Sequence, residues 1–131
     1  MICIISVIEK GDILGEKIKD ILGGDLILKS KIKNFKLDSI TKKCFEKYNS
    51  IIFISSTGIA VRAVSKYLVS KDKDPAVVVV DVCNKFSISL VSGHLGGANN
   101  LTLRVSEILG NIPVITTATD NMDVVAPDII A

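Results

Sequence analysis

Residues 76–80 read AVVVV, a run of strand length with no polar position. Successive side chains of a strand point to opposite faces, so a strand apolar throughout must be covered on both. ICIISVI (2–8) and SIIFISS (50–56) carry nearly the same signature. Strands of this kind belong to a mostly parallel sheet with helices above and below it.

The segments between the apolar runs supply those helices. Ile13, Leu14, Ile18, Ile21 and Leu22 recur at helical spacing, with Asp12 as the expected N-cap and Gly23-Gly24 as the stop. A short strand, DLILK (25–29), follows. Asp38 is the next expected cap, and Ile40, Cys44, Phe45 and Tyr48 share one helical face. Ala60, Ala63, Val64, Tyr67 and Leu68 line a third helix. Ala98, Leu101, Val105, Ile108 and Leu109 line a fourth, which stops at Gly110. KDKDP (71–75) reads as a turn.

The valine strand, taken as 76–82, is separated from FSISLV (86–91) by only three residues, CNK. A link that short makes a hairpin, so 86–91 is expected to run antiparallel to its neighbour. IPVIT (112–116) is the last strand. The expected fold is α/β: one domain over 1–131, a three-layer α/β/α, Rossmann-like sheet, mostly parallel with one hairpin-derived antiparallel strand. Residues 121–131, which end on IIA, read as the start of a following region or as a docking tail.

A net charge of +2 gives no argument for nucleic acid. The lysines of KSKIKNFK (29–36) read either as a solvated loop or as attraction for an anion. Cys3, Cys44 and Cys83 form no C-x-x-C pair, which suits free thiols in a reducing compartment. MICIISVIEKGD has no basic leader pattern and reads as a first strand. No apolar run approaches spanning length. A cytoplasmic protein with no membrane partner is expected.

Ligands of open α/β sheets collect at the carboxyl ends of strands. Three polar, glycine-bearing segments follow apolar runs. In SSTGIAVR, Ser56 or Thr57 can cap a helix, Gly58 permits close backbone approach, and Arg62 offers a guanidinium to a carboxylate. The alternative is plain helix capping. In SGHLGGANN, Ser92, Gly93, Gly96 and Gly97 permit a nest of N–H groups, and Asn99 offers an amide. His94, the only histidine, suits proton transfer near neutral pH, or a structural role in a tight turn. With no second histidine and no cysteine pair nearby, no protein-held metal is expected. In TTATD, Thr116, Thr117 and Thr119 offer hydroxyls and Asp120 a carboxylate, or the segment is a simple Asx turn. Neither the P-loop nor the dinucleotide glycine pattern is present.

The segments TGIAVRAVSKYLVSKDKDPAVVVVD, FSISLVSGHLGGANNLT and NIPVITTATD resemble, in order and spacing, the N-terminal region of the CbiG family of anaerobic cobalamin biosynthesis. The resemblance spans nearly the whole chain and is strongest over 52–120. It implies a cobalt-precorrin-5A hydrolase, which opens a δ-lactone on an anionic tetrapyrrole and releases acetaldehyde, or the N-terminal domain of that enzyme. It also implies a partner, either the CbiG C-terminal domain or another cobalamin-pathway enzyme. No cofactor is expected, since the cobalt is carried by the substrate. On residue chemistry, His94 is the candidate general base, oriented by Asp120 or a threonine. Gly96 and Gly97 would hold the oxyanion. An axial contact of His94 with the substrate's cobalt is a variant. A non-catalytic tetrapyrrole-binding module is the alternative to the enzyme.

Overall fold

The computed structural model describes residues 1–93 and 97–117. Six strands form one sheet: β1 (Ile2–Ser6), β2 (Asp25–Leu28), β3 (Ser50–Ile54), β4 (Ala76–Val80), β5 (Phe86–Val91) and β6 (Ile112–Val114). Their order across the sheet is β2-β1-β3-β4-β5-β6. β1 to β4 are mutually parallel. β5 pairs antiparallel with β4, and β6 pairs parallel with β5, so both run against the other four. The expected mostly parallel sheet with a hairpin-derived reversal is therefore present, and the reversal extends to two strands.

Four α-helices complete the layers: α1 (Asp12–Leu22), α2 (Leu37–Lys47), α3 (Thr57–Val64) and α4 (Ala98–Leu109). α1 and α4 cover one face. Leu14, Ile18, Leu101 and Val105 pack there on Ile4, Ile52, Val78 and Val80. α2 and α3 cover the other, where Cys44, Ala60 and Val64 meet Ile5, Phe53, Val77 and Val79. β4 is buried at every residue, as its composition requires.

The hairpin turn is written into the chain at two residues. Asp81 accepts backbone hydrogen bonds from Cys83 (2.8 Å), Lys85 (2.7 Å) and Phe86 (2.7 Å). Asn84 adopts φ 58°, a left-handed conformation that asparagine tolerates better than most residues. A bulge at the far end of β5, between the partners of Val77 and Val78, turns the strand out toward the next loop.

Two expected caps act differently. Gly11, not Asp12, is the N-cap of α1; a Cβ on Gly11 would lie 2.6 Å from Ile54 Cγ2, so only glycine fits. Asp12 begins the helix and accepts from Ser6 Oγ at 2.7 Å. Asp38 lies inside α2, whose N-cap is Lys36. Its carboxylate accepts from Tyr67 Oη (2.6 Å) and pairs with Lys66 (3.0 Å), tying α2 to the turn after α3. These partners hold the Asp38 carboxyl below its usual range. Tyr67 and Leu68 fall beyond the end of α3 rather than on it. Ile13 and Ile21 are exposed, because the strip of α1 that meets the sheet is only as wide as Leu14, Gly15 and Ile18.

Cys3 and Cys44 are buried with their sulfurs 3.2 Å apart, and Cys83 is exposed. The contact with Cys44, then burial, pushes the Cys3 thiol far above its ordinary range. The same contact shifts Cys44 the other way, so what keeps both sulfurs from a thiol reagent is their burial, whereas Cys83 lies in solvent. A chromogenic disulfide reagent at about pH 8 should therefore titrate Cys83 alone in the folded chain and all three cysteines after denaturation. Rapid native reaction of a second thiol would contradict the packing of β1 against α2.

Candidate functional site

The reversal of β5 decides where the three candidate segments lie. Ile54 pairs with Val80, and Val80 with Ser87, so the carboxyl end of β3 shares a sheet edge with the start of β5. Thr57, Gly58 and Arg62 sit at that edge. The carboxyl ends of β5 and β6, which carry Ser92, Gly93, Gly97, Asn99, Thr116 and Thr117, lie at the opposite edge, beside the start of β4. The three segments form two groups at opposite ends of the strands.

At the first edge, Ser56 is the N-cap of α3 and its Oγ accepts from the Ile59 N–H at 3.3 Å. Thr57 is then the first residue of the helix, not its cap. Thr57, Gly58 and Arg62 are exposed, with Arg62 folded back over Gly58. The run 29–36 leaves the end of β2 at this edge too, and its lysines are exposed. This edge reads as a capped helix with a solvated rim.

The second edge is built around Asn99, which is 6% exposed. Its Oδ1 accepts from Ser89 Oγ at 2.6 Å, and its Nδ2 donates to Thr117 Oγ1 at 2.6 Å. Its own N–H donates to Gly93 O at 2.9 Å. One side chain thereby joins β5, the start of α4 and the segment after β6. Gly93 is required by the approach of Asn99, since a Cβ there would stand 2.7 Å from Asn99 Oδ1 and 3.2 Å from Ser89 Oγ. Ser92 takes φ 60° and Gly97 φ 87°, both in the left-handed region. Ser92 is buried and its Oγ reaches Asp74 O at 3.4 Å. Thr116 is exposed. His94, Gly96, Thr119 and Asp120 lie outside the described residues.

The backbone here differs from an open nest. The N–H groups of Ala98 and Asn99, in the first turn of α4, are taken by the carbonyls of Ser92 (3.1 Å) and Gly93 (2.9 Å). The loop caps the helix with its own backbone, so those two donors do not face a ligand. What this edge offers is polar side chains on a fixed frame, next to a hollow of about 240 Å³ lined by Phe45, Tyr67, Val69 and Pro75 with two lysines, Lys42 and Lys73, and two acids, Glu46 and Asp74. Among the described residues, no group of three or more His, Cys, Asp or Glu is placed to hold a metal ion. No described helix is long and apolar enough to cross a membrane.

Ser89 and Asp74 are contributors that inspection of glycine-rich loops misses. Ser89 had a signal: in FSISLV, Ser87 and Ser89 fall on the same face at period two, an unusual pair for a buried strand. Ser87 meets Asn111 just as Ser89 meets Asn99. Asp74 contributes a backbone carbonyl and leaves no mark in side-chain chemistry.

Residues 39–120 match the family model described as Cobalamin synthesis G N-terminal. The chain belongs to this family. The cobalamin synthesis G match contains β3 to β6 and the segments at both their ends, including the whole Ser89–Asn99–Thr117 cluster. The chain is 49% identical over 90 residues to the cobalt-precorrin-5A hydrolase of Salmonella typhimurium, covering 69% of this chain and 26% of that protein. It is 46% identical over 85 residues to the enzyme of the same name from Priestia megaterium, covering 65% of this chain and 23% of that one. A solved structure described as a cobalamin biosynthesis protein G homolog from Sulfolobus solfataricus superposes with a TM-score of 0.70 at 29% identity. That comparison covers 94% of this chain and 39% of the other. The chain thus spans about a quarter of the length of the two hydrolases it matches.

Proposed function

We propose that the chain is the N-terminal, substrate-gripping part of a cytoplasmic cobalt-precorrin-5A hydrolase, and that its active edge is the one built around Asn99. The observation that carries this reading is the Ser89–Asn99–Thr117 hydrogen-bond chain, which joins β5, the start of α4 and the segment after β6 within the family match. Segments fixed on both sides of a reacting group favour preorganisation, which is what catalysis requires.

In this proposal His94 takes a proton from water as the water oxygen adds to the lactone carbonyl. The acyl C–O bond of the lactone breaks on collapse of the tetrahedral intermediate, leaving a carboxylate and a hydroxyl on the two-carbon unit. That hydroxyl then loses its proton as the carbon–carbon bond to the macrocycle breaks, the electron pair passes to the macrocycle, and the unit leaves as acetaldehyde. Gly96 and Gly97 hold the oxyanion, and Asp120 or Thr119 orients the imidazole. The substrate is an anionic tetrapyrrole; the hollow beside this edge carries Lys42 and Lys73 together with Glu46 and Asp74, so the lysines can meet individual carboxylates without a net positive field. The cobalt arrives with the substrate and no separate cofactor is invoked. Thr57, Gly58 and Arg62 have no part at this edge.

One observation favours a second reading, a tetrapyrrole-binding module that works with a partner domain. The hydrolases of that name are about four times as long as the part matched here. Incubating the chain with cobalt-precorrin-5A and assaying acetaldehyde separates the two. Release that falls by at least about a hundredfold in His94→Ala, with substrate binding kept, is the result expected of a general base. In His94→Asn, a changed cobalt absorption spectrum on binding would instead assign His94 to the cobalt. Tight binding without any acetaldehyde would leave the module.

A further inference from the structure

Cys3 and Cys44 are buried nucleophiles that the reaction proposed above does not use. Cys3 lies in β1 and Cys44 in α2, 41 residues apart in sequence, yet their sulfurs meet at 3.2 Å in the layer between sheet and helix. A disulfide needs about 2.0 Å between its sulfurs, so roughly 1 Å of closure separates this pair from a bond. Two thiols in contact also make ordinary core packing. The surroundings of this pair take it further.

The two sulfurs are unequal. Contact with Cys44, then burial, raises the Cys3 thiol, while contact with Cys3 lowers Cys44. Cys44 is thus the better nucleophile and Cys3 the partner that keeps its proton. The cover over them is thin. Asp25 is the register partner of Cys3 on β2, the edge strand of the sheet. Tyr48, the residue that ends α2, packs on the same cluster and donates its hydroxyl to Asp25. Both residues are half-buried. A swing of that one ring opens the pair to a molecule little larger than water, while a bulky aromatic disulfide stays out.

The pair also adjoins the hollow. Cys3, Ile51, Val77 and Val91 pair in one row across the sheet, and that row ends one residue before Ser92. Cys44 is flanked on α2 by Lys42, Phe45 and Glu46, which line the hollow beside the Asn99 edge. A bond from Cys44 to β1 fastens that wall to the sheet.

We propose that Cys3 and Cys44 form a redox-responsive clasp, closed by hydrogen peroxide or a small organic hydroperoxide into a reversible disulfide that ties α2 to β1 and fixes the α2 wall of the hollow. The Cys44 sulfur attacks one peroxide oxygen and the O–O bond breaks. The departing hydroxide takes up the thiol proton as water, and Cys44 is left as a sulfenic acid. The Cys3 sulfur then attacks the Cys44 sulfur, the S–O bond breaks, and hydroxide leaves with the Cys3 proton as a second water. Two thiols are oxidised to one disulfide while one peroxide is reduced to two waters. A dithiol reductant reverses the bond by two exchange steps and is itself oxidised to a cyclic disulfide. In a reducing compartment such transient bonds serve as sensors. The clasp is independent of the hydrolysis.

The test uses the full chain carrying Cys83→Ser, because exposed Cys83 would react by itself. One equivalent of hydrogen peroxide is added without denaturant. The protease fragments holding Cys3 and Cys44 are then expected as one cross-linked species, two hydrogen atoms lighter than their sum, and dithiothreitol should separate them. The urea midpoint should rise in the oxidised chain, since the bond closes a long loop. Amide exchange at 42–46 should slow at least about tenfold. Tyr48→Phe, which removes the hydroxyl bonded to Asp25, should speed the oxidation at least about threefold. A sulfinic acid on Cys3 or Cys44 without the cross-link would overturn the proposal. So would a disulfide that forms only at urea concentrations that unfold the chain. A cross-link with unchanged exchange at 42–46 would overturn its link to the hollow. If Tyr48→Phe does not fold, the cross-link and the exchange at 42–46 decide alone.

Discussion

Gly93→Ala is expected to weaken binding of cobalt-precorrin-5A by at least about tenfold, or about 1.4 kcal/mol, with a larger loss of any turnover. The added methyl would sit 2.7 Å from Asn99 Oδ1, and something must move. The Asn99 side chain is the piece that must give, since the carbonyl of Gly93 is held by the first turn of α4. Turning it breaks the bonds to Ser89 and Thr117 and uncouples β5 from the segment after β6. Stability should fall by only about 1–2 kcal/mol, the usual cost of disturbing a buried hydrogen-bond pair. Binding followed by the tetrapyrrole absorption bands and urea unfolding of the same sample separate the two effects. Unchanged affinity would show that the substrate does not rely on this edge.

The largest expected effect on stability comes from an adjacent pair of glycines far from that site. Gly24→Ala should destabilise the chain by about 3 kcal/mol or more, whereas Gly23→Ala should cost about 1–2 kcal/mol. Both residues take positive φ, 75° at Gly23 and 92° at Gly24, so both substitutions carry backbone strain. Space distinguishes them. A Cβ on Gly23 meets nothing within 4 Å, but one on Gly24 would lie 2.4 Å from Ile2 O. That carbonyl belongs to β1, which is hydrogen-bonded on both sides, and moving it disturbs two strand pairings. Urea midpoints for the two variants check the ordering, and equal midpoints would contradict the close approach of the α1–β2 turn to β1.

The sheet was readable because its signal is redundant. Strands with no polar position, such as 76–80, admit no other environment, and the three-residue link before Phe86 forces a reversal. Helix starts were less readable, because aspartate serves several ends. Asp12 and Asp38 both precede apolar helical patterns, yet their carboxylates are taken by Ser6 and by Tyr67 with Lys66, partners fixed only by tertiary packing. The site was legible in part. Glycines and hydroxyls marked the loop around Ser92 and the segment at Thr117, and Asn99 had been singled out among them. Grouping Thr57, Gly58 and Arg62 with these residues failed on topology. A carboxyl-end rule sends loops to one edge only while strands keep one direction, and the hairpin at Asp81 and Asn84 had already changed it.

That hairpin has a consequence for how the molecule tolerates change. The four forward strands place their outgoing loops at one edge, and the two reversed strands place theirs about 16 Å away, the length of a five-residue strand. Sites separated by more than about 10 Å with no shared partner are felt independently. The rim around Ser56 and the exposed charge of Arg62 on α3 are therefore free to vary without disturbing the frame around Asn99. A lineage can remodel one edge for a new neighbour while the other keeps its chemistry.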